Sequence, residues 1–463
     1  MPPTPADTDP VPDTDPVPAR RPRRVPGAAA VRDYRALSAV SRLLVWSQFT
    51  FNVGFFAVLP YLAGHLSGAL GLAGWLVGFV LGLRTFSQQG LFVVGGALTD
   101  RFGARPVVLA GCALRIVGFV WLGLAEQAWS AVGAVLLVGF AAALFSPAVE
   151  TEIARQAVRH ETADGVPRTR VLALFSAGGQ AGALLGPLLG AVLLALGGAQ
   201  HFRLACGAGA VVFAVVLAAH WRLMPSSPSS LSSPPRNAPP GTLREGLAQL
   251  PRSRGFLALT TAYGCYLLGY NQLYLALPEE LHRATGSQAA LAWLFALSSV
   301  LVVVGQLPLS RWAAAQLTWA ASVRLGLALI AASFALPGLL VLLVPARGPW
   351  GAVVFVVLLT LGQMLVVPAT RAWLPDLVGD RHLGLFTGAL SSLSGLLVLA
   401  GGAPAGALLS VSGAAPWLAL AVVPVVGACC VPRRRDRRTG TGTPTPTEPL
   451  IGAQARAEKR TDA

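Results

Sequence analysis

Two arginines stand inside long apolar runs, Arg84 in LVGFVLGLRTFSQQG and Arg115 in VVLAGCALRIVGFVW. A guanidinium in hydrocarbon costs at least about 2.5–3.5 kcal/mol, so it marks a cavity or a partner. Facing a cavity, the pair would attract a carboxylate or another anionic group. Facing protein, they would donate to backbone carbonyls and to glutamines such as Gln88 and tie helices together. No Asp or Glu lies at similar depth. Tyr263, Tyr266 and Tyr270 are spaced i, i+3, i+7 on one helical face, next to Asn271, Gln272 and Tyr274. Tyrosine hydroxyls away from an interface want a polar partner or water, so this face reads as cavity lining. Gln48, Thr50 and Asn52 give the first apolar run similar polar content, and Asn52 joins the cavity candidates. Glu150 and Arg371 each follow a proline by three residues. They could pair across a gate or stand as solvated helix ends, and Glu150 is the best-placed carboxylate to carry a proton.

Other chemistry has no residues to carry it. The six histidines fall in loops or at helix ends, the five cysteines show no CxxC spacing, and no G-x-x-x-x-G-K-S/T run is present. No metal site, no cofactor and no direct use of ATP are expected. A membrane-embedded transferase would need paired acids or a His/Asp constellation, and the loops offer only Glu279-Glu280 and Asp376.

The elements that position these residues are membrane spans. Of 463 residues 54% are hydrophobic and 12% charged, with mean hydropathy +0.62; soluble domains carry about 25% charged residues. Apolar runs of about 20 residues, the length that crosses a bilayer, fall at 43–64, 73–98, 106–125, 130–150, 171–196, 204–222, 255–278, 289–309, 322–344, 351–373, 384–410 and 416–432. The expectation is an all-α integral membrane protein with twelve transmembrane helices in two six-helix bundles, 43–222 and 255–432. A Pro/Ser-rich linker (223–254) joins them, and two polar tails (1–42 and 433–463) are expected to be disordered.

The net charge of +15 comes almost wholly from arginine, with Lys459 the only lysine. The bases sit between spans and in the tails, which suits a membrane face rather than nucleic acid. With both termini cytoplasmic, 29 bases lie inside and only Arg203, Arg283 and Arg347 outside, the asymmetry of the positive-inside rule. Arginine, alanine, glycine and valine richness suggests a GC-rich bacterial genome and hence the inner (plasma) membrane.

The halves repeat. Pro60 and Pro278 close spans 1 and 7 at an offset of 218, Pro147 and Pro368 sit in spans 4 and 10 at 221, and Arg101 and Arg311 follow spans 2 and 8 at 210. Parallel six-helix repeats of this kind build one class of secondary transporter.

The most specific signal is Gly96-Ala-Leu98-Thr-Asp100-Arg101-Phe-Gly103-Ala-Arg105 between spans 2 and 3. Its glycines suit a tight turn. Asp100 can cap a helix or pair with a base, and Arg101 and Arg105 can hold the loop at lipid headgroups. In the second half Ser310 replaces the acid, so this latch exists once. Span 5 carries Gly178, Gly182, Gly186 and Gly190 on one stripe, with Pro187 among them, suited to close helix packing or to gating.

The loop motif resembles the G-x-L-x-D-R-x-G-x-R/K pattern of the major facilitator superfamily, and the span 5 run resembles the G-x-x-x-G-P-x-x-G motif of its exporters. Arg84 to Gly90, Leu114-Arg115 and Pro368 to Arg371 resemble the MdtH-type branch of drug exporters. Two departures are an Asn52 where other drug exporters have an acid and a span 4 without arginine. The resemblance implies alternating access, proton-driven efflux of amphiphilic drugs with fluoroquinolone-like molecules among them, antibiotic resistance, and a monomeric antiporter binding a small molecule and protons. A metabolite or lipid, moved in either direction, is the alternative cargo.

Overall fold

The computed structural model describes residues 34–35, 37–164, 168–197, 200–224, 250–285, 290–343, 349–378, 383–411 and 413–431. Most of the expected tails and linker lies outside the described residues. Residues 1–37 cluster as one unit and 38–463 as another; all the spans belong to the second.

Twelve spans are present among the described residues, and none of those residues is in a strand. Span 1 is Ala39–Gly64, continued by a π-helical turn His65–Ala69. Ser38 is its N-cap, its side chain accepting from the Ser41 N–H, which starts the helix four residues before the apolar run. Span 2 is built from two helices, Gly74–Gln89 and Phe92–Phe102. Spans 3 to 6 are Ala104–Leu124, Ala128–Asp164, Arg168–Gly197 and His201–Leu223. Spans 7 to 12 are Arg254–Thr285, Leu291–Gln316, Trp319–Leu343, Trp350–Val378, Leu383–Leu409 and Ala415–Cys430. Ten are long and apolar enough to cross a membrane; span 7 is more polar and span 12 shorter. Spans 4 and 7 run well past their apolar runs, because their last turns continue as polar helix.

The packing has internal symmetry. Contacts of spans 1 with 5, 1 with 6, 2 with 4, 3 with 4 and 3 with 6 recur as 7 with 11, 7 with 12, 8 with 10, 9 with 10 and 9 with 12. The halves meet through span 2 on span 11, span 5 on span 8, and span 1 on span 7. Helix-internal prolines follow the repeat, Pro60 with Pro278, Pro147 with Pro368 and Pro187 with Pro404. Neighbouring helices can re-satisfy the carbonyls that such prolines free within a bilayer.

Exposed tryptophans form two belts. Trp46, Trp221 and Trp312 lie toward the end where span 1 begins, and Trp75, Trp129, Trp293 and Trp350 toward the other. Large amphipathic rings at both levels, with exposed Leu and Val between them, are the surface a bilayer requires. We call the end where span 1 starts the basic end and the opposite one the far end.

Candidate functional site

Span 2 is held against span 11 by glycines on both sides. A Cβ on Gly74 would stand 2.5 Å from the Gly406 carbonyl oxygen, one on Gly78 would overlap the Gly402 carbonyl oxygen, and one on Gly82 would lie 2.9 Å from the Val398 oxygen. This seam brings the first half's Arg84 and Thr85 against the second half's span 7. Thr85 Oγ1 accepts from Arg84 Nη2 at 3.1 Å and donates to Asn271 Oδ1 at 3.0 Å. Arg84 also donates to Gln88 Oε1 at 3.4 Å and stacks on the Phe55 and Tyr274 rings at 5.5 and 5.7 Å. All of Arg84, Thr85, Asn271 and Tyr274 are buried.

From this point a ladder of rings follows span 7. Tyr274, Tyr270, Tyr266 and Tyr263 succeed one another at 6.0, 6.0 and 5.2 Å, with Phe295 beyond Tyr274 at 5.6 Å. The Tyr270 hydroxyl lies beside those of Tyr274 and the Gln363 amide of span 10. Two donors here find no protein partner, Arg84 Nε and Asn271 Nδ2. A buried donor without an acceptor costs about 1–3 kcal/mol, so a seam with unmatched N–H groups at mid-depth is suited to a ligand bearing acceptors. The arrangement can bind and release; its residues make no nucleophile-base pair.

Arg115 sits elsewhere, inside the first bundle. Its Nη1 donates to the Val138 carbonyl at 2.6 Å, and its guanidinium lies over Phe51, Phe55, Phe119 and Phe213 at 4.6, 5.0, 5.5 and 5.2 Å. Asn52 ties span 1 to span 5, its Nδ2 donating to the Gly179 carbonyl at 2.8 Å. The span 5 glycines face span 1. A Cβ on Gly182, Gly186 or Gly190 would meet the backbone of Phe49, Val53 or Ala57, and Tyr61 donates to the Pro187 carbonyl at 2.8 Å. The stripe thus packs within the first half.

At the basic end, Glu150 and Arg371 are both exposed; they feel each other's charge but form no ion pair. The Gly96 to Arg105 motif is helical as far as Phe102, and the chain turns only at Gly103, with φ 83° and ψ 164°. Gly96 is open, with nothing within 4 Å of a Cβ. Arg105 caps span 6, donating to the Trp221 carbonyl at 2.7 Å with its guanidinium 5.8 Å from that ring, while Arg101 lies over Phe102 at 5.3 Å. The Asp100 side chain lies outside the described residues. At the far end, a cavity of about 190 Å³ opens between spans 1, 2, 7 and 11, with Ser67, Glu279 and Ser410 in its lining. Arg283 pairs with Glu279 at 2.9 Å and donates to the Leu409 carbonyl, joining spans 7 and 11 there.

The Gly74, Gly78 and Gly82 stripe was not singled out in the sequence, although its four-residue spacing matches that of span 5. Thr85 and Gln363 had no signal beyond being polar in apolar runs.

The family model described as Major Facilitator Superfamily matches residues 43–396. The chain belongs to this superfamily. An uncharacterised MFS-type transporter of Mycobacterium tuberculosis is 37% identical over 394 residues, covering 83% of this chain and 88% of the relative. The multidrug resistance protein MdtH of Yersinia enterocolitica is 31% identical over 339 residues, covering 73% and 78%. Among solved structures, a POT family transporter in complex with 5-aminolevulinic acid superposes with TM-score 0.70 at 14% identity, covering 84% of this chain and 95% of that one. The nucleoside transporter NupG superposes with TM-score 0.67 at 13% identity, covering 85% and 98%. This major facilitator protein therefore shares the transporters' fold, and it is a multi-span membrane transporter of small molecules.

Proposed function

We propose that this transporter exports amphiphilic drugs by alternating access, driven by protons, from a bacterial inner membrane with both termini cytoplasmic. The observation that carries the reading is the polar seam between the halves, where Arg84, Thr85 and Asn271 meet the tyrosine ladder of span 7. Substrate would place an acceptor or anionic group at Arg84 and Asn271 and its aromatic body against Tyr263, Tyr266 and Tyr270. Kinship with a protein named for multidrug resistance supports the drug class. The excess of arginine in the basic-end loops supports the orientation.

In this reading the halves rock about the span 2 and span 11 seam. Glu150 carries the proton and Arg371 faces it across the basic-end crevice, while the Gly96, Asp100, Arg101, Gly103 and Arg105 loop holds spans 2 and 3 during the swing. The monomer suffices, since each half supplies part of one central site. The test is efflux of a carboxylated dye from cells expressing wild type, Arg84→Gln or Asn271→Ala at matched levels. The proposal expects both variants to lose most of the export; full activity in both would refute the site.

A further inference from the structure

At the far end the halves part around the cavity of about 190 Å³, which the polar seam does not use. An apolar cavity of about 150 Å³ holds benzene, so this one has room for a single small organic molecule. Val77 of span 2, Leu275 and Pro278 of span 7 and Leu409 of span 11 give it buried apolar walls, and Ser67 and Ser410 among its lining are exposed. Its polar side chains offer acceptors only. Ser67 Oγ donates its one hydrogen to the Ala63 carbonyl at 3.1 Å and Ser410 Oγ to the Ala407 carbonyl at 2.7 Å, which leaves lone pairs on both. Ser67 is held there by the π-helical turn His65–Ala69 that ends span 1, a distortion frequent at functional sites. Glu279 accepts from Arg283 Nε through Oε1 at 2.9 Å, and its Oε2 has no partner among the described residues. The other arms of Arg283 are taken by the Leu409 and Val411 carbonyls. Charge points the same way. Glu279 and Glu280 stand against the single Arg283 on this stretch of span 7, and Glu280, buried, has no cationic partner among the described residues. Spans 1 and 11 bring their C-terminal ends to the cavity and span 2 its N-terminal end, two partial negative charges to one positive.

We propose that the far-end cavity binds a small organic ammonium ion, its N–H groups on Glu279 Oε2 and the serine hydroxyls and its hydrocarbon part against Val77, Leu275 and Leu409. An ammonium group offers three donors and no acceptor, the complement of this lining, and its charge strengthens the bond to the carboxylate. An anion would meet Glu279 as a like charge, so the cavity asks for the opposite chemistry to the seam at Arg84 and Asn271. Because both halves line it, an occupant fits only while spans 1, 2, 7 and 11 enclose it, and so favours that arrangement. The site does not rest on the drug-export reading or on the driving ion of transport.

The test uses the full-length protein purified in a neutral detergent, with its unfolding temperature measured in benzylammonium chloride and in sodium chloride of equal ionic strength. Parallel samples in sodium chloride contain benzyl alcohol, which keeps the ring and lacks the charge. A ligand bound only to the folded state raises that temperature with concentration. The proposal expects benzylammonium to raise it by about 2 °C or more over sodium chloride, and benzyl alcohol to leave it unraised. Glu279→Gln should cut the response at least by half, and Ser67→Trp, which puts a large ring into the cavity, should abolish it. Glu126→Gln, which alters the acid paired with Arg203 outside the cavity, should keep it. Each variant is read against its own unfolding temperature without ligand, so loss of the Glu279–Arg283 pair does not enter the comparison. No response in the wild type, an equal response to benzyl alcohol, or a full response in Glu279→Gln or in Ser67→Trp would each overturn the proposal.

Discussion

Substituting Gly78 with alanine probes the seam on which alternating access depends. The new Cβ would lie 3.0 Å from both the Gly402 carbonyl carbon and the Gly406 Cα, with the Gly402 oxygen nearer still. Ordinary contact begins at 3.4 Å, so span 2 and span 11 must part by at least about 0.4 Å, an overpacking strain that costs about 1–3 kcal/mol. Alanine gains about 1 kcal/mol over glycine in a helix interior. Gly207 in span 6 is the matched control, since nothing lies within 4 Å of its Cβ and only the helix gain applies. Gly207→Ala should therefore unfold at the wild-type temperature or above it. Gly78→Ala should be less stable than Gly207→Ala by about the overpacking cost, roughly 1–3 kcal/mol. The assay is thermal unfolding of both variants in detergent, together with labelling of a cysteine placed at Ser67 in the far-end cavity, which should react faster in the Gly78→Ala background. Equal unfolding temperatures and equal labelling would refute the claim that the glycines set the distance between halves.

Gly103→Ala should lose about 1–3 kcal/mol, because φ 83° with ψ 164° is backbone that glycine alone adopts easily, whereas Gly96→Ala, in open space, should lose nothing; thermal unfolding separates them. Tyr61→Phe removes the buried bond to the Pro187 carbonyl and should cost about 1 kcal/mol, read by the same measurement. Under the proposed mechanism, Glu150→Gln should abolish pH-driven export in vesicles while leaving substrate binding by dye quenching intact, and a variant with wild-type pH dependence would remove Glu150 from the coupling step.

The spans were legible because a bilayer demands apolar runs of fixed length, and the repeat because its prolines and loop arginines recur in the same order, at offsets of 218, 221 and 210. Helix beyond the membrane was not: span 4 continues to Asp164 and span 7 to Thr285 as polar helix, where hydropathy carries no signal. Periodicity showed that the span 5 stripe suited close packing, but not that its partner is span 1. Nor could sequence spacing place Arg115 within a cage, since Phe51, Phe55, Phe119 and Phe213 come from three different spans. The glycines of the loop motif all suggested a turn, yet only Gly103 turns the chain, because Gly96 continues the helix.

Drug and dye accumulation in an efflux-deficient bacterium, with and without a protonophore, tests the central claim most directly. Cells expressing the wild type should accumulate less than cells expressing Asp100→Asn at equal protein levels, and the protonophore should erase the difference. Accumulation that is the same in both, with well-expressed protein, would contradict proton-driven drug export by this transporter.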